Sequence, residues 1–248
     1  MRTAKDTRFI ASPPRVPYTF FPPCAILLHM KRLALGALLL AVLAPLPAFP
    51  LSPTEAVLTT TLMLIGNTDE LSSSGPTPVV IVQSLGASVP LSIAGPFFLE
   101  PSLDLFGTWY EYTGTRVVPG ARESATSFFV LGTLLAVRAG AAFPVSNRIS
   151  LGASLGLDLL LRFPIDLEVG AAERKDARLA SYGYFYGMGR FLYPETSLFC
   201  RWRIADKFGL VFSLGARHPV FHLWDGEGLA YLDQLVLGAG LGFTYSLR

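Results

Sequence analysis

Between Arg148 and Phe163 the chain reads RISLGASLGLDLLLRF, which separates into two sets when taken every second residue. Ile149, Leu151, Ala153, Leu155, Leu157, Leu159, Leu161 and Phe163 are all apolar. Ser150, Gly152, Ser154, Gly156, Asp158, Leu160 and Arg162 are small or polar, apart from Leu160. A period of two held this long defines a β-strand, well beyond the usual ~5–6 residues. One face needs an apolar surrounding, while the other tolerates Asp, Arg and bare glycine backbone. A soluble sandwich strand turns its large apolar side chains inward. Here the polar face carries little bulk, which suits the crowded interior of a narrow membrane barrel.

Composition supports that environment. Of 248 residues, 51% are apolar and 15% charged, against roughly 25% charged in soluble domains, and the mean hydropathy is +0.46. A helical membrane bundle needs several runs of about twenty apolar residues, and only one segment approaches this. The apolar residues are spread in alternation instead, as in a transmembrane β-barrel. A net charge of +2, without arginine-rich or aromatic stacking motifs, gives no sign of nucleic-acid binding. Two cysteines, Cys24 and Cys200, exclude a disulfide framework or a zinc site.

Three segments are read along the chain. Residues 1–29 combine Arg2, Lys5, Arg8 and Arg15 with five prolines and show no periodicity. They are read as an upstream extension that is not native to the protein, and the same basic stretch also fits an organelle transit peptide. Residues 30–48 form a signal peptide: Met30-Lys31-Arg32, an apolar run from Leu33 to Leu43, then Pro45, Pro47 and cleavage candidates Ala44 and Ala48. Residues 49–248 form the barrel domain, with eight strands expected at Thr54–Gly66, Thr77–Val89, Phe97–Tyr112, Ser127–Phe143, Arg148–Phe163, Gly187–Arg203, Lys207–Phe221 and Asp233–Leu247. The first is the weakest, and a short helix or plug is its alternative. Short turns at Pro90–Ser92, Pro144–Asn147 and Ile204–Asp206 alternate with long loops, of which Pro164–Tyr186 is the longest. The expectation is an all-β, eight-stranded antiparallel up-and-down barrel in the bacterial outer membrane, its long loops outside the cell.

The alternation also sorts the charges. Glu100, Asp104, Asp158 and Glu195 fall on the inward sets together with Arg138, Arg162, Arg201 and Arg217. Such a lumen charge network fills the barrel as paired polar core or lines a selective pore. Aromatic residues gather at two heights on the outward sets. Phe143, Trp202, Phe208, Phe243 and Tyr245 lie near the short turns, and Trp109, Tyr110, Tyr112, Phe163, Tyr193, Phe221 and Trp224 near the loops, as interfacial girdles do. Pro101 and Pro194 stand inside strands, where each interrupts the ladder. Catalysis is not expected. Gly152-Ala153-Ser154-Leu155-Gly156 matches G-x-S-x-G but lies inside a straight strand rather than at a strand-to-helix turn. His218 and His222 belong to no recognised motif, and no cofactor or metal is expected.

The segments PSLDL, SLGASLGLDL and LGAGLGFTYSL, with tight turns beginning Pro-Leu-Ser and Pro-Val-Ser, resemble the small eight-stranded outer-membrane proteins. The slender barrel is similar to the OmpW family, and the turns resemble spirochaete outer-membrane proteins. The terminal strand resembles the signal read by the barrel-assembly machinery, although Arg248 stands where an aromatic residue is usual. The resemblance implies a conduit or binder for small hydrophobic solutes with a lateral exit, which Pro101 and Pro194 would mark. The alternative is a surface adhesin or host-interaction protein, in which the barrel is a membrane anchor and loop 164–186 meets a host or matrix ligand.

Overall fold

The computed structural model describes residues 51–67, 79–120, 126–165, 172–228 and 230–247. The expected upstream extension, the expected signal peptide and the loop at Asn67–Pro76 beyond its first residue lie outside these residues. Among them, eight long antiparallel strands close into a barrel. The first is β2, Glu55–Gly66, preceded by the short β1, Ser52–Pro53. β3, Val79–Ser88, continues in register into β4, Leu91–Ala94. The others are β5, Phe97–Tyr112; β7, Ser127–Pro144; β8, Ile149–Ile165; β9, Leu192–Arg203; β10, Phe208–Arg217; and β11, Val236–Ser246. A three-residue β6, Val117–Pro119, lies on β5. Closure is made by β2 against β11 along the whole strand, from Glu55↔Ser246 to Ile65↔Val236.

The first segment is therefore a strand, and the helix-or-plug alternative is overturned. Its Thr59-Thr60-Thr61 run blurs the pattern because Thr is at home on either side of a barrel wall. The first short turn also moves. Pro90 lies within the wall, and the hairpin closes at Gly95-Pro96, where Gly95 takes φ +55. Pro101 opposes Val89 across the ladder, one step from Pro90, so the donors lost at the two prolines interrupt the strand without ending it.

Three elements on the loop side depart from the expected strand pattern. Residues Ala172–Tyr186 of the expected long loop form helix α1. Its Ala, Arg, Lys and Leu content favours helix, and it stops where Met188 and Gly189 adopt positive φ. Strand β9 consequently begins at Leu192, not Gly187. Strand β10 ends at Arg217 because Pro219 cannot continue the ladder, and Val220–Leu223 form a 3-10 turn.

The parity is the expected one. Ile81, Leu85, Leu155, Leu198 and Leu214 stand 63–68% exposed on the outer wall, while Met63, Val82, Leu134 and Leu160 are buried inside. Two apolar clusters fill the loop-side half. One lies within the barrel, built from Met63, Ile65, Val82, Phe106, Leu134, Leu160, Tyr193, Phe221 and Val236. The other packs Ala177, Tyr184 and Phe185 of α1 on Tyr110, Val117, Phe128 and Val130. Gly132 has a steric purpose here, since the Phe106 ring occupies the place a Cβ would take.

Candidate functional site: a charged lumen beneath a folded cap

The turn-side half of the lumen is crossed by a continuous ladder of ion pairs. Asp158 Oδ2 accepts from Arg217 Nε at 2.5 Å, and Arg217 Nη2 reaches Glu195 at 3.4 Å. Glu195 accepts from Arg138 Nε at 2.5 Å, and Arg138 lies 3.7 Å from Glu100. Arg201 then bridges Glu100 at 3.1 Å and Glu55 at 2.7 Å. Two links join residues directly opposed on paired strands, Glu195 with Arg217 of β10 and Glu100 with Arg138 of β7, and the four shorter ones reach across the narrow lumen between strands that are not paired. The Arg201 guanidinium also lies over the rings of Phe98 and Phe199, at 5.2 and 4.8 Å, a favourable cation–π placement.

Of the eight charges assigned to the lumen, Glu100, Arg138, Asp158, Glu195, Arg201 and Arg217 stand in this ladder. Asp104 lies beside it, with its carboxylate against Gly86. Arg162 stands apart, above the apolar layer. Its Nη2 donates to the Arg190 carbonyl at 3.2 Å and to Tyr193 Oη at 3.1 Å, and its guanidinium lies 4.8 Å from the Phe185 ring. Glu55 belongs to the ladder and was not expected there, because the first strand carries no clear alternation. The space left among these side chains is about 80 Å3, bounded by residues such as Thr59, Ser154, Ser213 and Gly238. That holds a handful of waters at roughly 10–15 Å3 each.

On the loop side the connections fold into a cap. Arg116 pairs with Asp233 at 2.9 Å and Glu227 at 3.3 Å, and Arg190 pairs with Glu227 at 2.5 Å. His222 meets Asp225 at 3.0 Å through Nδ1 and the Asp233 carbonyl at 2.9 Å through Nε2. Tyr184 Oη accepts from Gln234 at 3.1 Å, and burial, with Glu227 beside it, pushes its phenol above the usual range. Beneath this cap Phe221 is fully buried in the mouth, edge-on to Tyr193 at 5.6 Å. Arg116, Asp225 and Glu227 lie in loops, where no period-two pattern runs, and Arg190 and Asp233 lie at the ends of expected strands that the structure shortens, so none of the five was read as part of a site. Tyr110, Tyr193 and Phe221, expected in the loop-side girdle, are buried instead. Tyr110 shares the parity of Glu100 and Asp104 and Tyr193 that of Glu195, so both point inward, and Phe221 lies beyond the end of β10 in the 3-10 turn.

The turn-side girdle is outward. Phe143, Trp202, Phe208, Phe243 and Tyr245 are 39–57% exposed, with Phe208 5.5 Å from Phe243 and 5.4 Å from Tyr245. Phe163, 42% exposed, stands on the loop side. Trp109 packs edge-on to Phe129 at 5.7 Å, and Tyr112 Oη donates to the Gly114 carbonyl. At the strand prolines, the Pro101 carbonyl accepts from Val89 N at 3.2 Å and the Pro194 carbonyl from His218 N at 2.9 Å. Neither proline parts the strands. The break in the wall lies elsewhere. Among the described residues, β3 and β5 pair from Ser84↔Phe106 to Ser88↔Ser102, and Val79–Gln83 of β3 pair with β2 alone.

A closed antiparallel barrel with charges inside, an apolar outer wall and an aromatic girdle defines a transmembrane β-barrel of the bacterial outer membrane. No protein-family model matches the sequence, and no curated protein matches it. Similar solved structures include the Neisserial surface protein A (7% identity, TM-score 0.46, 79% of this chain and 98% of that one). Another is OprG from Pseudomonas aeruginosa (10%, 0.45, 79% and 97%). A third is the attachment invasion locus protein Ail of Yersinia pestis, in complex with the heparin analogue sucrose octasulfate (10%, 0.44, 78% and 97%).

Proposed function

We propose that this protein is a closed-core barrel that works at its outer face, presenting the folded cap to a ligand outside the cell rather than conducting through its lumen. The observation that carries this reading is the closure of the lumen at successive levels: the ion-pair ladder, the apolar layer sealed by Phe221, and the cap. The cap also exposes Leu179, Tyr182, Met188, Leu223 and Trp224 at 41–82%. Exposed aromatic and apolar groups outside the membrane are what an interaction surface offers.

A second reading follows from the parted β3–β5 wall. Val80, Val82 and Phe106 lie just inside it, so a small hydrophobic solute reaching the apolar layer would meet a stretch of wall without ladder hydrogen bonds. This is the lateral conduit that the OmpW resemblance implies, displaced from the two prolines. Expression in a host lacking its own small barrels separates the readings. Replacing residues 172–186 by a flexible linker should abolish attachment to matrix-coated surfaces and leave hydrophobic-solute uptake unchanged. Unchanged attachment with altered uptake would favour the conduit.

A further inference from the structure

The outer wall carries a polar feature where lipid should meet only apolar groups. Thr196 Oγ1 lies 3.2 Å from His218 Nε2, and His218 Nδ1 lies 2.5 Å from Tyr231 Oη, the two rings nearly stacked at 26°. All three face outward. Thr196 pairs with Leu155 and Ala216, which are outward on their strands, and Tyr231 is 52% exposed.

Thr196 also lines a shallow apolar trough of about 900 Å3. The floor of the trough is small, with Ala139, Ala141, Ala153 and Ala216, and Phe97, Leu155, Leu198 and Leu214 form its walls. It follows one register row, Phe97↔Ala141↔Ala153↔Leu198↔Leu214, and therefore crosses the membrane on a slant set by the strand tilt.

Two physical arguments fix what belongs there. The first is height. Thr196 is six residues above the girdle residue Trp202 on β9, which at ~3.3 Å per residue and ~40° tilt is roughly 15 Å. His218 is a further step up, near the outer edge of a ~25 Å apolar band, where lipid ester groups lie. The second is hydrogen-bond arithmetic. A neutral imidazole has one donor and one acceptor nitrogen. If Nδ1 donates to Tyr231, Nε2 accepts from Thr196 and the Tyr231 proton is left over. In the other tautomer the Thr196 proton is left over, directed from the rim of the trough. Either way one hydroxyl donor remains, at the depth where lipid ester carbonyls are the acceptors at hand.

We infer that this trough binds one ester-linked lipid of the outer leaflet, with an acyl chain along the alanine floor and an ester carbonyl accepting from the Thr196–His218–Tyr231 chain.

The test is lipid retention by the full chain. The protein is refolded in nanodiscs of dipalmitoyl phosphatidylcholine or of its diether analogue, and bound lipid is counted by native mass spectrometry after release. Wild type should retain one diester lipid and hold it roughly three- to tenfold better than the diether form, the worth of one hydrogen bond. His218→Phe should retain lipid but lose that preference. Ala153→Trp, which fills the floor, should lose both lipids, and Ala141→Leu serves as a milder filling variant if the first folds poorly. Equal retention of diester and diether lipid by wild type would overturn the inference. So would undiminished retention by a folded variant with the floor filled.

Discussion

Arg217 and Arg162 are both buried cations on inward positions, and the structure gives them opposite surroundings. Arg217 holds Asp158 and Glu195, both 5% exposed or less. Removing it strands a carboxylate in the barrel, so Arg217→Ala should destabilise the refolded protein by about 3–5 kcal/mol in a urea titration. Arg162 faces Tyr193, Phe185 and a carbonyl, and its Nε and Nη1 make no hydrogen bond among the described residues. Replacing an arginine without a carboxylate partner by an apolar residue of similar length removes a desolvation cost. Arg162→Met should therefore leave stability unchanged or raise it by up to about 2 kcal/mol in the same titration. A loss as large as that of Arg217→Ala would show that Arg162 is paired in the folded protein. Sequence alternation alone placed both residues inside. It could not separate them, because what distinguishes them is Tyr193 and Phe185, and Phe185 comes from a helix that no period-two pattern announces.

The elements differ in how plainly they stand in the sequence. Strands β8 and β11 are legible because their two faces meet different media, lipid and a narrow polar lumen, so every second residue is constrained. The upper halves of β9 and β10 are not, because the lumen turns apolar there and both faces carry similar residues. Helix α1 was hidden inside a mixed-charge segment whose buried residues, Ala177, Tyr184 and Phe185, are spaced for a helix face. Ala177 is 3% exposed against the cap cluster, so Ala177→Asp should free α1 from the barrel without unfolding the strands. Hydrogen exchange should show protection lost across 172–186 and kept in β7 and β8. Loss of protection throughout would mean that the cap is integral to the barrel. Topology is tested at the same scale. In a Cys200→Ser background, Lys175→Cys and Gly226→Cys should label on intact cells with an impermeant reagent. Ser146→Cys and Asp206→Cys, at the short turns, should not, and the reverse pattern would invert the molecule.

At the scale of the whole molecule, polar and apolar layers succeed one another along the barrel axis. The short-turn half is held together by charge, the loop-side half by apolar packing, and the mouth by a second set of ion pairs. Charge pairs tolerate the lumen because each arginine there meets at least two carboxylates, which offsets much of its desolvation. The apolar layer then excludes the water that an ion would need to pass. The central claim is that this stack does not conduct. Planar-bilayer recording on the refolded wild-type protein, with Phe221→Gly beside it, tests the claim directly. Wild type should leave bilayers silent at the protein loading that gives steps with an open barrel. Phe221→Gly should be silent as well, because the ion-pair ladder below still blocks the lumen. Stable single-channel steps from the wild-type protein would contradict it.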